Sequence, residues 1–322
     1  MRLIRLFTKE QHIDVLSRHT CNVEAASVYS QALGEPISRQ LVRYWRRVFL
    51  DAGTKAKADK AIVAERTLRK PNPGDDMGDI SFVPEVARRI LVIGDLHYPY
   101  CHPDTIPFLV HLREQYSPDL VMQIGDETDG HALSFHESDP NLDSAGVELE
   151  KARVGLQQLH DEFPHVLVCH SNHGSLVYRR AKYSGIPAQM IKSYREILFP
   201  GHLAPGWSWA FDWQIPTPQG KTLFRHQTSG TVLDAAAAEG CNLVVGHEHG
   251  KFGAQWGATS QRLFFGAYTG CLIDKDSLAF AYGKVYPKKP IIGALLILDG
   301  VPVNVPMVLD SEGRWVGPEG QA

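Results

Sequence analysis

No stretch of this sequence stays apolar for the roughly 20 residues that a membrane-crossing helix needs. The longest apolar runs, such as residues 291–298, are only the length of a strand. No membrane partner is therefore expected. No apolar segment ending in a small-residue cleavage site follows the basic start, so secretion is not expected either. Cysteine is scarce: Cys21, Cys101, Cys169, Cys241 and Cys271 are odd in number and have no close pair. They exclude a disulfide framework and a thiolate zinc site, and they fit a reducing cytoplasm. No Gly-x-x-x-x-Gly-Lys-Ser/Thr loop occurs, so no nucleotide cofactor is expected.

The net charge of −3 is small only because it is unevenly divided. Residues 1–70 carry 14 Lys and Arg against 7 Asp and Glu, a net +7, whereas the remainder carries 19 against 29, a net −10. A basic head and an acidic body call for different partners. An apolar fraction of 43% and a charged fraction of 21% are those of a globular protein.

The head reads as short helices from Thr8 to about Leu50. Asn22 is placed to cap a helix containing Ala25, Ala26, Val28 and Tyr29, and Gly34 closes it. Pro36 and Ser38 then introduce a second helix, whose Leu41, Val42, Trp45, Val48 and Phe49 share an apolar face. Its other face presents Arg39, Arg43, Arg46 and Arg47. A short helix, a glycine turn and an arginine-bearing helix is the order of a helix-turn-helix. The stretch resembles the small modules of phage and bacterial DNA-handling proteins. On that reading DNA is the partner, Arg39 and Gln40 contact bases or phosphates, and Arg43, Arg46 and Arg47 position the backbone. A protein-docking helical domain and a solvated basic face are the rival readings. Two-fold DNA binding would also make a homodimer natural.

A charged, alanine-rich helix is expected over residues 55–70, closing a head of residues 1–70. Pro71-Asn72-Pro73-Gly74 opens a linker over residues 71–88. A catalytic body over 89–308 and a flexible tail over 309–322 complete the expected organisation.

In the body, apolar strands repeatedly end in polar residues. Residues 89–93 lead into Asp95-Leu96-His97, and residues 120–124 into Gly125-Asp126-Glu127-Thr128-Asp129. Residues 165–169 lead into Asn172-His173, Leu223-Phe224 into His226, and residues 243–245 into Gly246-His247-Glu248-His249. Strand ends of an open α/β sheet are where such folds bind ligands. Two metal ions about 3.5–4 Å apart, bridged by a carboxylate, polarise a phosphoryl group and generate hydroxide near neutral pH. Imidazole with carboxylate suits manganese, iron or zinc better than an all-oxygen cage does.

This ordered series resembles the calcineurin-like metallophosphoesterase family, and in particular its phage-encoded members, over roughly residues 89–300. The resemblance implies an α/β fold of two packed mixed β-sheets flanked by helices, a four-layer arrangement preceded here by the small helical domain. It implies two divalent metal ions, manganese first, with iron, zinc, nickel or magnesium as substitutes. Asp95, His97 and His249 would hold the first ion, Asp126 would bridge, and Asn172, His226 and His247 would hold the second. His173 would contact phosphate and act as general acid. Members usually carry Gly-Asn-His followed by an acidic residue. Here the run is Ser171-Asn172-His173-Gly174, which removes an orienting partner that Asp129 or Glu127 would have to replace.

Around these motifs, Arg179 and Arg180 are candidates to grip a substrate phosphate. His131 and His136 are candidates to line the entrance, and His170 reads as structural. His202 is a weaker ligand candidate than His226, because no strand leads into it. Trp207, Trp209, Phe211 and Trp213 alternate, which points to packing on one strand face, with base stacking as the alternative. The expected function is DNA-directed phosphodiester hydrolysis, as an endonuclease or nickase in a cytoplasm, a host's if phage-encoded. The alternatives are a phosphomonoesterase acting on phosphoprotein or nucleotide, and a catalytically quiet DNA-binding protein.

Overall fold

The computed structural model describes residues 7–50, 76–135, 139–280 and 289–317. The chain forms two compact units, residues 1–70 and 71–322. The expected helix over 55–70 and His136 lie outside the described residues.

The head contains α1 (Lys9–Arg18), α2 (Asn22–Leu33) and α3 (Arg39–Phe49). Thr8 and Gln11 close a reciprocal capping box at the start of α1. Ser38 caps α3 by accepting from the Leu41 amide. Leu16, Ala25, Tyr29, Val42 and Trp45 are fully buried and fasten the three helices together. Asn22 is the first residue of α2, not its cap, which is Cys21. The Asn22 carboxamide oxygen instead accepts from Arg46 Nε at 3.0 Å. The other Arg46 nitrogens donate to the carbonyls of Leu16 and His19, each at 2.6 Å. Arg46 therefore ties off the end of α1, which corrects its expected role on a DNA backbone. Arg39, Gln40, Arg43 and Arg47 remain exposed on α3.

His12 gives the head a sensitivity to acid. Its ring stacks on Phe49 at 4.2 Å, and its Nδ1 lies 2.9 Å from the Tyr29 hydroxyl. Its Nε2 is buried without a partner. Burial lowers the pKa, so the folded head holds a neutral ring, whereas the unfolded chain takes up a proton near pH 6.5. The unfolded state then binds more protons as pH falls below about 6.5, and stability declines until the folded pKa is passed. Amide protection factors of residues 9–49, taken relative to the intrinsic exchange rate at each pH, are expected to fall between pH 7.5 and 5, and His12→Phe should flatten that response. Protection factors that stay constant over this range in the wild type would contradict this account.

The body has two mixed sheets. The first runs β11-β10-β1-β2-β3-β4 and the second β5-β6-β7-β9-β8. Their strands are β1 (Arg89–Ile93), β2 (Leu120–Gln123), β3 (Val166–Cys169), β4 (Trp207–Ala210), β5 (Asp212–Thr217), β6 (Gly220–Arg225), β7 (Asn242–Val245), β8 (Phe252–Ala258), β9 (Leu263–Thr269), β10 (Gly293–Leu298) and β11 (Val301–Pro306). Strands β1 to β4 are parallel, as are β6, β7 and β9, while β5, β8, β10 and β11 pair antiparallel.

The two-residue period of β1 divides its side chains between two cores. Ile90 and Val92 face the layer between the sheets with Met122, Leu167, Phe224 and Val244. Leu91 and Ile93 join the outer core with α4 (Thr105–Tyr116) and α5 (Ala145–Glu162), through Phe108, Leu112, Leu156 and Leu159. On the far side, α8 (Val232–Glu239) lays Val232 and Ala236 on Leu243 and Val245 of the second sheet. Helix, sheet, sheet and helix are the layers expected from the sequence.

Three expectations need correction. The alternating aromatics do not lie on one strand. The chain breaks at exposed Phe211, so Trp207 and Trp209 close the edge of the first sheet while Trp213 starts the second and packs into the inter-sheet core. The latter half of the expected linker is fixed to the body: Asp76 pairs with Trp209 in a β-bridge and with Arg195 at 3.1 Å, and the Gly78 amide donates to Ser208 Oγ. The tail is docked as far as Gly317. Arg314 pairs with Asp104, the Trp315 amide donates to Asp104, and the Trp315 ring meets Phe108 edge-on at 5.6 Å. A tryptophan that finds an apolar partner and a carboxylate for its backbone has no reason to stay in solvent.

Candidate metal centre

Parallel strands point their C-terminal ends the same way, so β1, β2, β3, β6 and β7 deliver all the motif residues to one rim. Asp95 and His97 follow β1, Asp126 follows β2, Asn172 and His173 follow β3, His226 follows β6, and His247 and His249 follow β7. His97, Asp126 and His247 all take left-handed backbone conformations, with φ of 50°, 55° and 63°. Such angles cost a non-glycine residue energy and concentrate at functional sites. Gly246 is required for a different reason, since a Cβ there would collide with the Asp95 carboxylate.

The ligand atoms fall into cages. Asp95, His97, Asp126 and His249 bring one donor atom each within 4.8 Å of one another, and Asp126, His226 and His247 form a second such group. Asp126 belongs to both. Its Oδ2 lies 3.5 Å from His97 Nε2 and 3.2 Å from His226 Nε2. Asn172 Oδ1 lies 2.8 Å from the same His226 nitrogen, which places it at the second cage. His97 Nε2 and His249 Nε2 face each other at 3.2 Å.

Bonds behind the cages decide which nitrogens face inward. His97 Nδ1 donates to Asp129 Oδ1 at 2.7 Å, and His226 Nδ1 donates to the Ile124 carbonyl at 3.0 Å. Both Nε2 atoms are thereby turned toward the shared Asp126, an orientation that metal-binding histidines use. Asp95 Oδ2 accepts from the His247 amide at 2.7 Å, while its Oδ1 is buried without a hydrogen-bond partner. An orphaned carboxylate oxygen among inward-facing imidazoles fits a divalent cation.

A family description, calcineurin-like phosphoesterase, matches residues 88–251, half of the chain. The chain belongs to this family. No curated protein matches its sequence. Solved structures similar to it include Vps29 of Chaetomium thermophilum, at 14% identity and a TM-score of 0.39, covering 71% of this chain and 92% of that one. Vacuolar Protein Sorting 29 from Cryptosporidium parvum matches at 14% identity and a TM-score of 0.36, covering 68% and 96%. A single mutant of Vps29 from Entamoeba histolytica matches at 12% and 0.32, covering 67% and 97%.

In this family member the electrostatics favour a cation at the shared ligand. Burial alone would raise the Asp126 carboxyl, but His226 and His173 hold it well below the usual carboxylate range. Reciprocally, burial would lower His226, yet Asp126 raises it to about 9. Burial dominates at His97 and His247 and lowers both. His173 is raised, because the charges of Asp126 and Asp129 outweigh its burial.

The missing acidic residue after His173 has a structural counterpart. His173 Nδ1 donates to the Asp129 backbone carbonyl, and the Asp129 carboxylate lies 3.6 Å away. Asp129 therefore serves His97 and His173 together. Position 174 has little room: a Cβ would sit 3.0 Å from the Tyr194 hydroxyl and 3.1 Å from Ser171 Oγ. Tyr194 and Ser171 are two site-supporting residues that no motif announced. Gln123 is another, bracing the turn into Asp126 through both its amide atoms to Gly125 at 2.7 Å.

Arg180 is corrected from phosphate ligand to loop brace. Its Nε donates to the Leu133 carbonyl at 2.6 Å, another nitrogen donates to Ser134, and the guanidinium covers Phe135 at 4.2 Å. Arg179 is exposed, 3.5 Å from the Asn172 carbonyl. His131 accepts from the Asp139 amide, and His170 meets the Tyr194 hydroxyl at 3.1 Å. His202 lies away from the cages, 2.6 Å from Gln157 Oε1. Glu127 is buried beneath the site, bonded to Trp209 Nε1 at 3.1 Å, and burial pushes its carboxyl up to about 7.

Proposed function

We propose that this chain is a metal-dependent phosphodiesterase directed to DNA, in which the body cleaves and the head binds. The observation that carries the hydrolytic reading is Asp126 shared between two ligand cages, with His173 beside them. When bound, two divalent cations, manganese foremost, would polarise the phosphoryl group and lower the pKa of water. Asp95, His97 and His249 would hold one and Asn172, His226 and His247 the other. His173 is placed to give a proton to the leaving oxygen, with its Nδ1 committed to the Asp129 carbonyl. The His173 amide donates to Asp126 Oδ1 at 3.1 Å, which fixes the acid relative to the shared ligand.

The DNA part of the proposal rests on the exposed Arg39, Gln40, Arg43 and Arg47 of α3 and on the excess positive charge of the head. Such a face neutralises phosphates and releases counterions. One chain carrying both units raises the local concentration of bound DNA at an otherwise acidic body.

The test is nicking of supercoiled plasmid by manganese-loaded protein, beside hydrolysis of bis(4-nitrophenyl) phosphate. Arg39→Gln, Arg43→Gln and Arg47→Gln combined should reduce plasmid cleavage roughly tenfold or more and flatten its salt dependence. Hydrolysis of the small diester should stay near the wild-type rate. Equal losses on both substrates would remove the head from DNA recognition. Intact plasmid alongside rapid turnover of a phosphomonoester would replace the DNA reading.

A further inference from the structure

A cavity of about 80 Å³ opens beside His173, outside the two cages. Its walls come from α5, α6 (Leu176–Tyr183), α7 (Tyr194–Leu198) and the turn at His131–Leu133. Leu133, Leu149, Val177 and Ile197 make the lining largely apolar, and neither Lys nor Arg contributes to it. Its one acidic wall residue, Glu148, is buried, and both its oxygens are engaged by the amides of His131 and Ala132 at 2.9 and 3.3 Å. Ala145, Ala152, Gly130 and Gly174 keep the space open where larger side chains would fill it.

His173 joins this cavity to the reacting centre. It forms one wall, and it also groups with His97 and Asp129 at the edge of the first cage. In the proposed hydrolysis water gives one proton to solvent, the resulting hydroxide bonds to phosphorus, and the P–O bond to the alcohol breaks. The electron pair leaves on the alcohol oxygen, which takes up a proton. An ester group lying on the His173 side of the cages is therefore next to this cavity.

Resting on that hydrolytic reading, we propose that this cavity borders the leaving-group position and selects an uncharged group there. The sugar of a DNA strand meets this requirement. An anionic leaving group such as pyrophosphate does not, because it would be desolvated beside Glu148 with no cation to offset it.

The experiment is calorimetric titration of manganese-loaded full-length protein with phenylphosphonate and methylphosphonate, with bis(4-nitrophenyl) phosphate turnover followed in parallel. Phenylphosphonate is expected to bind roughly tenfold tighter or more, from the apolar ring area removed from water. Val177→Trp and Ala145→Leu, which fill the space from two different helices, should each bring the ratio toward one while the affinity for methylphosphonate is retained. Equal wild-type affinities, or a ratio that survives both variants, would overturn the pocket. A phenyl preference erased by both variants in a protein with no turnover would uphold the pocket and overturn the hydrolytic reading instead.

Discussion

Asp126→Asn is expected to lower phosphoester turnover roughly 1,000-fold or more while the body stays folded. Among the described residues Asp126 is the carboxylate that belongs to both cages, through an oxygen 3.2 Å from His226 and 3.5 Å from His97. Asparagine has nearly the same shape but carries no charge, so it cannot neutralise two cations at once. The substitution should therefore be seen first in metal content. Wild-type protein reloaded with manganese and freed of excess should hold about two ions per chain, and the variant fewer. Two tightly held ions in an inactive Asp126→Asn protein would show that the shared carboxylate acts in some other way.

His173→Gln should reduce turnover of DNA by roughly 100- to 10,000-fold, the range general acids supply, without loss of metal. Its ring reaches the Asp129 carbonyl rather than a cage interior, so its removal leaves both ligand sets intact. The diagnostic is the leaving group. An ester of 4-nitrophenol departs without needing a proton, so the variant should lose far less activity on bis(4-nitrophenyl) phosphate than on DNA. Equal losses on the two substrates would mean that His173 binds or positions phosphate and donates no proton. Asp129 supports two histidines, so its replacement by Asn should combine this phenotype with weakened metal binding.

The strands and their polar ends were legible because their signals are local, whereas the two-sheet layering was implied by the family resemblance. Five apolar strands each end in a ligand-type residue within a few positions, and the side-chain period of a strand is fixed by its backbone. Gly34, Ser38 and the apolar stripe of α3 likewise announce a helix end, a cap and a packing face. Arg46 shows where local reading fails. On the helix it shares a polar face with Arg43 and Arg47, but its three bonds go to Leu16, His19 and Asn22, which are distant in sequence. Arg180 is the same case, drawn to carbonyls nearly fifty residues away. The tryptophan run failed for a related reason. Alternation gives the period of a strand, but nothing in it marks the break at Phe211 where the chain passes between sheets.

The sequence by itself determined which ligand-type residues follow which strands, because a residue's identity and its place after a strand are covalent facts. Only the tertiary structure decided how those residues meet. Asp95, His97, Asp126 and Asn172 descend from one sheet and His226, His247 and His249 from the other, so the packing of two sheets makes Asp126 common to both cages. The same packing directs His97 and His226 through Asp129 and Ile124, closes position 174 against Tyr194, and leaves the cavity beside His173. These are distances between segments up to about 150 residues apart, set by side-chain volumes in the intervening layers, and no local pattern encodes them.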